Sequence, residues 1–179
     1  MRFSGSLKYI LGWIIVFAVR LIPWRMPNVE GIMATLMPFS KRYGAFGGFA
    51  YASLSIALFD LVLGKAGMWT VVTAIAYGII GVLAFYFFRS RANTPWDYVA
   101  FAVIGTLLFD ALTGLTVGPL FFAQPFVEAL IGQIPFTVYH LFGNVLFSAL
   151  LSPLLYRFVV ENKKLEVPFL LGKFDVSRS

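Results

Sequence analysis

The stretch Met68–Phe88, MWTVVTAIAYGIIGVLAFYFF, decides how the chain is read. It carries no charged residue and lies between Lys65 and Arg89. A helix needs about 20 predominantly apolar residues to cross a bilayer core roughly 30 Å thick. At a rise of about 1.5 Å per residue, this stretch spans that thickness. Its neighbours follow the same pattern. Residues 44–64 precede it, 96–118 follow it, and 7–24 open the chain. The last apolar stretch, 126–160, is too long for one straight span. Pro135 suits a first helical turn, which places the start of the last helix near Ile134. Residues 119–133 are then an apolar loop or a short surface helix. Between Pro27 and Ser40 lie only fourteen residues, with Pro38 near their end. That helix is short, tilted or re-entrant. The fold class expected is an all-α integral membrane protein. It is a six-helix transmembrane bundle with N- and C-termini cytoplasmic and helices over approximately 7–24, 27–40, 44–64, 68–88, 96–118 and 134–160. Residues 1–160 form one transmembrane domain, and 161–179 a polar cytoplasmic tail.

Composition agrees with a membrane chain. Of 179 residues, 60% are hydrophobic and 12% charged, with a mean hydropathy of +0.85. A soluble domain carries about 25% charged residues. Half that charge leaves too little polar surface to cover a water-facing body. With no cysteine, a disulfide framework, a thiol nucleophile and a thiolate metal site are excluded. The net charge of +6 lies between apolar runs. It therefore reads as a topology signal facing anionic lipid, not as a nucleic-acid surface.

Lysine and arginine sort by side in this map. The inner segments carry Arg2, Lys8, Lys41, Arg42, Arg89, Arg91, Arg157, Lys163, Lys164, Lys173 and Arg178, and the outer side Arg20, Arg25 and Lys65. Such a bias places the N-terminus inside. A re-entrant second helix would exchange Arg2 and Lys8 for Arg20 and Arg25 and leave the totals unchanged. An even number of spans is preferred as the better packed bundle. Trp24 and Trp69 fall at the outer boundary, Trp13 and Trp96 towards the inner one, as interfacial belts require. No cleavable signal is visible, because helix 1 is long enough to span and lacks a small-residue cleavage site.

Ionisable groups inside a bilayer are costly, so their depth is informative. Asp60 lies about 6 Å from the outer end of its helix, Asp110 about 12 Å and His140 about 9 Å, with Asn144 one turn further on the same face. Gln124 and Glu128 fall in the loop before helix 6, and Arg25, Asn28 and Glu30 in the loop after helix 1. All lie in the outer half. A continuous charged pathway would need polar groups at every depth. The pattern instead predicts a pocket open to the outside and closed below. Asp60 and Asp110 have a second reading, pairing with Arg20 or Arg25 to hold helices together. His140 and Asn144 have one as buried hydrogen-bonding residues, and the two tryptophans as belt anchors. Leu58-Phe59-Asp60 followed by Gly64 matches Leu108-Phe109-Asp110 followed by Gly114. The match is the kind an internal duplication leaves. Gly44, Gly48 and Ala52 form a small-residue face for close helix approach.

Catalytic and nucleotide motifs are missing. There is no Walker A sequence, no H-E-x-x-H and no G-x-S-x-G. A single histidine excludes a multi-histidine metal site. No catalytic residue, metal or cofactor is expected. An intramembrane aspartyl centre would need Asp60 and Asp110 within a few ångströms.

Arg20-Leu-Ile-Pro-Trp24 with Pro27-Asn28 resembles the first outer loop of substrate-binding S components of energy-coupling factor (ECF) transporters. Ile134-Pro-Phe, His140-Leu-Phe-Gly-Asn144 and Leu-Leu-Ser-Pro153-Leu-Leu-Tyr-Arg157 resemble their last helix. The resemblance covers most of the chain up to Arg157, as pattern more than strict signature. It implies a receptor that captures a vitamin or similar micronutrient from outside. It also implies a coupling transmembrane subunit and two ATPase subunits as partners, which fits the missing Walker A sequence. Helix 1 departs from the family's Ala-x-x-x-Ala docking face, offering only Gly12 and Ala18. The face of Gly44, Gly48 and Ala52 is an alternative. The substrate-binding set expected is Trp24, Asn28, Asp60, Trp69, Asp110, Glu128, His140 and Asn144. The rival readings are an intramembrane enzyme using Asp60 and Asp110, and a structural subunit without ligand.

Overall fold

Met68–Phe88 forms one unbroken helix over its whole predicted range in the computed structural model, which describes residues 6–24 and 29–166. It is α3 of an all-helical chain. Before it come α1, Ser6–Arg20, and α2, Ile32–Val62. After it come α4, Pro95–Gly114, α5, Val117–Phe122, and α6, Phe126–Leu155. A π-helical turn, Tyr156–Val160, and a 3-10 turn, Lys163–Leu165, complete the described residues. Among the described residues four helical stretches are long and apolar enough to cross a membrane: Ile32–Val62, Met68–Phe88, Pro95–Phe122 and Phe126–Val160.

α2 is two helical arms, 32–43 and 45–62, broken at Gly44. There φ is 82° and ψ 179°, a conformation essentially restricted to glycine. Phe39 and Tyr51 would lie about 18 Å apart along a continuous helix. Their rings stack with centroids 4.1 Å apart, so the second arm folds back on the first. The second arm then packs on α3 through glycines. A Cβ on Gly48 would lie 2.8 Å from the Gly81 carbonyl oxygen, so the two backbones touch. Such close approach drives helix association where lipid offers no hydrophobic gradient. The small-residue face is thus consumed within the chain. Gly48 and Ala52 are buried, and Gly44 is the hinge. Gly12 also faces inward, against Phe39 and Tyr51, whereas Ala18 faces out.

The first arm is the centre of the molecule. Every residue from 32 to 40 is buried, a condition met only by a helix enclosed on all sides. Its polar side chains satisfy themselves locally. Thr35 donates to the Ile32 carbonyl at 3.1 Å, and Ser40 to the Leu36 carbonyl at 2.7 Å. Pro38 has no N–H for the carbonyl of Ala34, four residues earlier. That carbonyl accepts instead from the Ser152 hydroxyl of α6, at 2.7 Å.

Several boundaries differ from the sequence reading. α1 stops at Arg20, not Trp24, because Pro23 disfavours a helical residue before it. The first arm begins at Ile32. α4 begins at Pro95, where Thr94 and Asp97 cap each other, and ends at Gly114. The largest difference is α6, which starts at Phe126 and carries Pro135 inside it. Pro125 occupies the N-cap, where its missing N–H costs nothing. Pro135 lies on the exposed face.

The elements have two distinct ends. Lys8, although buried, donates to the Val160 carbonyl at 2.8 Å and pairs with Glu166 at 3.3 Å. Lys41 donates to the Arg91 carbonyl at 2.5 Å, and Arg42 lies 3.8 Å from Glu166. Lys8, Lys41, Arg42, Arg89, Arg91, Arg157, Lys163 and Lys164 all fall at this basic end. Among the described residues only Arg20 and Lys65 fall at the other. Between the ends, exposed Ile14, Ile75, Ile79, Leu107, Phe142 and Leu146 form an apolar belt suited to lipid.

The Ser152 bond is testable by a double-mutant cycle. Ser152→Ala strands the Ala34 carbonyl and is expected to cost about 1–3 kcal/mol. Pro38→Ala returns a backbone donor to that carbonyl, so Ser152→Ala should cost clearly less in that background. Thermal midpoints of the purified protein in detergent measure both. Additive losses would show that the two residues do not share this carbonyl.

Candidate functional site

At the end opposite the basic residues, a cavity of about 260 Å³ opens between α1, Glu30 ahead of α2, the second arm of α2, α3, α4 and α6. It exists there because the helix ends supply short polar residues to one place. Arg20 ends α1, Glu30 precedes the first arm, and Asp60 is near the end of the second. Trp69 and Thr73 lie in the first turns of α3, with Tyr77 one turn further. Thr113 closes α4, while Phe136 and His140 come from the middle of α6.

A chain of polar contacts, an ion pair followed by hydrogen bonds, runs through the wall. The Arg20 Nε lies 3.5 Å from Glu30 Oε2, and the guanidinium sits 4.0 Å over the Phe59 ring. Tyr77 donates its hydroxyl to Glu30 Oε1 at 2.5 Å, and its oxygen lies 3.3 Å from His140 Nε2. On the far side of the ring, His140 Nδ1 donates to Asp110 Oδ1 at 2.7 Å. The acceptor carboxylate fixes a proton on Nδ1. Thr137 donates to Asp110 Oδ2 at 2.7 Å and accepts from Gln133 at 3.2 Å. Four helices, α1, α3, α4 and α6, and the segment ahead of α2 are joined by this chain. Tyr77 has one hydroxyl proton for two neighbours. With that proton toward Glu30, Nε2 meets the phenol oxygen as a donor when His140 is protonated.

Asp60 stands apart. Its Oδ2 accepts from Thr70 at 2.6 Å, and Thr70 Oγ1 accepts from the Gly67 N–H at 3.2 Å. The carboxylate therefore sits at the N-terminus of α3, where the helix dipole favours negative charge. The two similar segments diverge here. Asp60 faces the cavity, and Asp110 is sealed behind His140. Each preceding phenylalanine packs on a basic group, Phe59 under Arg20 and Phe109 against His140 with centroids 5.6 Å apart. Gly64 has φ 64° and terminates its helix, whereas Gly114 gives room to the Gln133 side chain.

Of the predicted site residues, Asp60, Trp69 and His140 line the cavity together. Asp110 supports His140 from behind. Asn144 is fully buried and donates to Thr106 at 2.8 Å, joining α6 to α4 outside the lining of this cavity. Glu128 does not lie in a lid. It is exposed in the first turn of α6, about 18 Å along the helix from His140. Counted from Phe126, His140 is fourteen residues into its helix, well below the predicted depth. Trp24 is 85% exposed beyond the end of α1. Asn28 and Arg25 lie outside the described residues. The alternative reading paired these aspartates with Arg20 or Arg25; among the described residues Arg20 pairs with Glu30, and Asp110 with His140. Sequence reasoning put Arg20 and Glu30 near the site but not in it, and passed over Tyr77. Glu30 carried a signal, a carboxylate directly before an apolar run. Tyr77 carried none, because a tyrosine within an apolar span reads as core. Among the described residues no group of three or more histidine, aspartate or glutamate side chains is placed to hold a metal ion.

The two aspartates should separate in stability measurements. Asp110→Ala strands the His140 N–H and the Thr137 hydroxyl, at an expected cost of about 1–3 kcal/mol. Asp60→Ala releases only the Thr70 hydroxyl beside an open cavity and should lower the thermal midpoint by less than half as much. Equal losses would make Asp60 a structural residue. No family model matches the chain, and no curated protein or solved structure matches it either.

Proposed function

We propose that this protein is a membrane-embedded substrate-capture subunit. It binds a small vitamin-like molecule from outside the cell and serves uptake driven by partner subunits of the ECF type. The observation that carries this reading is the cavity. A space of about 260 Å³ is lined by ionisable, hydroxyl and aromatic side chains from several helices, and it opens at the end poor in lysine and arginine. Pockets that combine apolar walls with a few convergent polar groups are the usual form of small-molecule sites. Towards the basic end the interior is packed by aromatic rings, including Tyr9, Trp13, Phe39 and Tyr51, in keeping with a site entered from the other side.

In this reading the chain crosses the plasma membrane six times, as α1, the two arms of α2, α3, α4 and α6. The basic end and both termini are cytoplasmic, in keeping with the positive-inside rule. A coupling transmembrane subunit would dock on a face other than Gly48 and Ala52, which the chain itself covers. ATP hydrolysis belongs to the partner ATPases.

The cysteine-free chain makes the topology simple to test. Lys65→Cys should react with a membrane-impermeant maleimide on intact cells, and Lys163→Cys only after permeabilisation. The reverse pattern would invert the receptor and refute capture from outside.

Capture itself is tested by native mass spectrometry of protein purified in mild detergent. A stoichiometric small molecule is expected. Asp60→Asn and His140→Ala should each weaken its binding at least tenfold, with wild-type helicity by circular dichroism. Full affinity in both variants would displace the site, and the absence of any bound or bindable molecule would remove the function.

A further inference from the structure

The charges around the cavity define the class of molecule it takes, on the reading that it captures one. We infer that the occupant is a small organic cation, a protonated or quaternary amine on a single flat ring, held by Asp60 and Trp69. Arg20 and Glu30 neutralise each other across 3.5 Å. Asp110 and His140 neutralise each other when the imidazole is protonated. Asp60 remains. Among the described residues its only side-chain partner is the neutral Thr70 hydroxyl, and no cation lies within 4 Å of it. Among the described residues the wall thus carries one excess negative charge with His140 protonated, and two with it neutral. The N-terminus of α3 meets part of the Asp60 charge through Thr70, and a cationic occupant in the cavity would meet the remainder.

The surroundings of Asp60 suit such a group. Trp69 lines the same cavity at its exposed rim, and Phe136 lines it from α6. Aromatic faces attract ammonium groups through the ring quadrupole, tryptophan most strongly. Arg20 does not reverse the preference. Its charge is already met by Glu30, and an anionic occupant would add a further negative charge beside Glu30 and Asp60. What Arg20 lacks is a hydrogen-bond acceptor, since its buried Nε and Nη1 make no hydrogen bond. A hydroxyl or carbonyl at the far end of the occupant would meet it. The volume of about 260 Å³ lies just below the usual range for drug-sized ligands, which limits the occupant to about one ring with short substituents.

Benzylammonium, benzyl alcohol and benzoate, equal in ring and differing in charge, serve as probes. Each is titrated against the full-length protein in detergent, with thermal midpoint as the readout. Benzylammonium should raise the midpoint, by about 3–6 °C at ten times its Kd. The other two should not. Asp60→Asn should abolish the rise and Asp60→Glu retain it. Trp69→Ala, at a half-exposed position, should weaken benzylammonium severalfold even if Asp60→Asn fails to fold. A rise with benzoate or benzyl alcohol that equals or exceeds that with benzylammonium overturns the cation class and leaves capture standing. Undiminished benzylammonium binding in Trp69→Ala and any folded Asp60→Asn overturns the assignment to these residues. No rise with any probe, together with no co-purified molecule, overturns both the class and the capture reading.

Discussion

Every backbone carbonyl and amide inside a bilayer needs a partner from the protein, and the first arm of α2 shows how far that requirement shapes this chain. The arm is enclosed on all sides, yet Pro38 removes one of its internal bonds. Ser152, more than a hundred residues later, supplies the missing donor to Ala34. The bond ties the last long helix to the centre of the bundle. The reversal at Gly44 then lets the second arm cover the first, and the Gly48–Gly81 contact brings α3 against the second arm. The other helices pack around this centre.

The same arrangement puts the helix ends in register at the cavity. α1, the second arm and α4 finish there, and the first arm and α3 begin there. Carboxylates and hydroxyls at helix ends are inexpensive to place, because unpaired backbone groups and dipoles are present to meet them. Asp60 is held in this way, through Thr70. His140 is different, a basic residue in the middle of a long helix. It is held by Asp110 on one nitrogen and approached by Tyr77 on the other, so its ring cannot turn without breaking contacts to α4 and α3. The cavity therefore has a rigid inner wall at His140 and a more open rim at Trp69.

The basic end does a separate job. Lys8 is buried at the end of the π-helical turn that follows α6, and it bonds the Val160 carbonyl. A cation there complements the negative end of the helix dipole and joins the first helix to the last. The aromatic stacks of Tyr9, Trp13, Phe39 and Tyr51 pack the interior above it.

Apolar runs and their breaks can be read locally, and that is why the sequence alone determined an all-helical membrane chain, the whole of α3, and the break near Gly44. It also marked Asp60, Trp69 and His140, because polar groups in apolar spans stand out wherever they lie. Pro135 misled, since a proline that ends a helix and one that an exposed helix face tolerates look alike in one dimension. Partners were not legible at all. Whether Asp110 meets Arg20 or His140, whether Glu128 covers a pocket or extends from a helix start, and whether Tyr77 is core or wall depends on helix rotation and offset. Those are set by contacts between residues far apart in sequence. Tertiary packing alone sealed Asp110 behind His140, spent Arg20 on Glu30, and left Asp60, among the described residues, facing the cavity without a counter-charge.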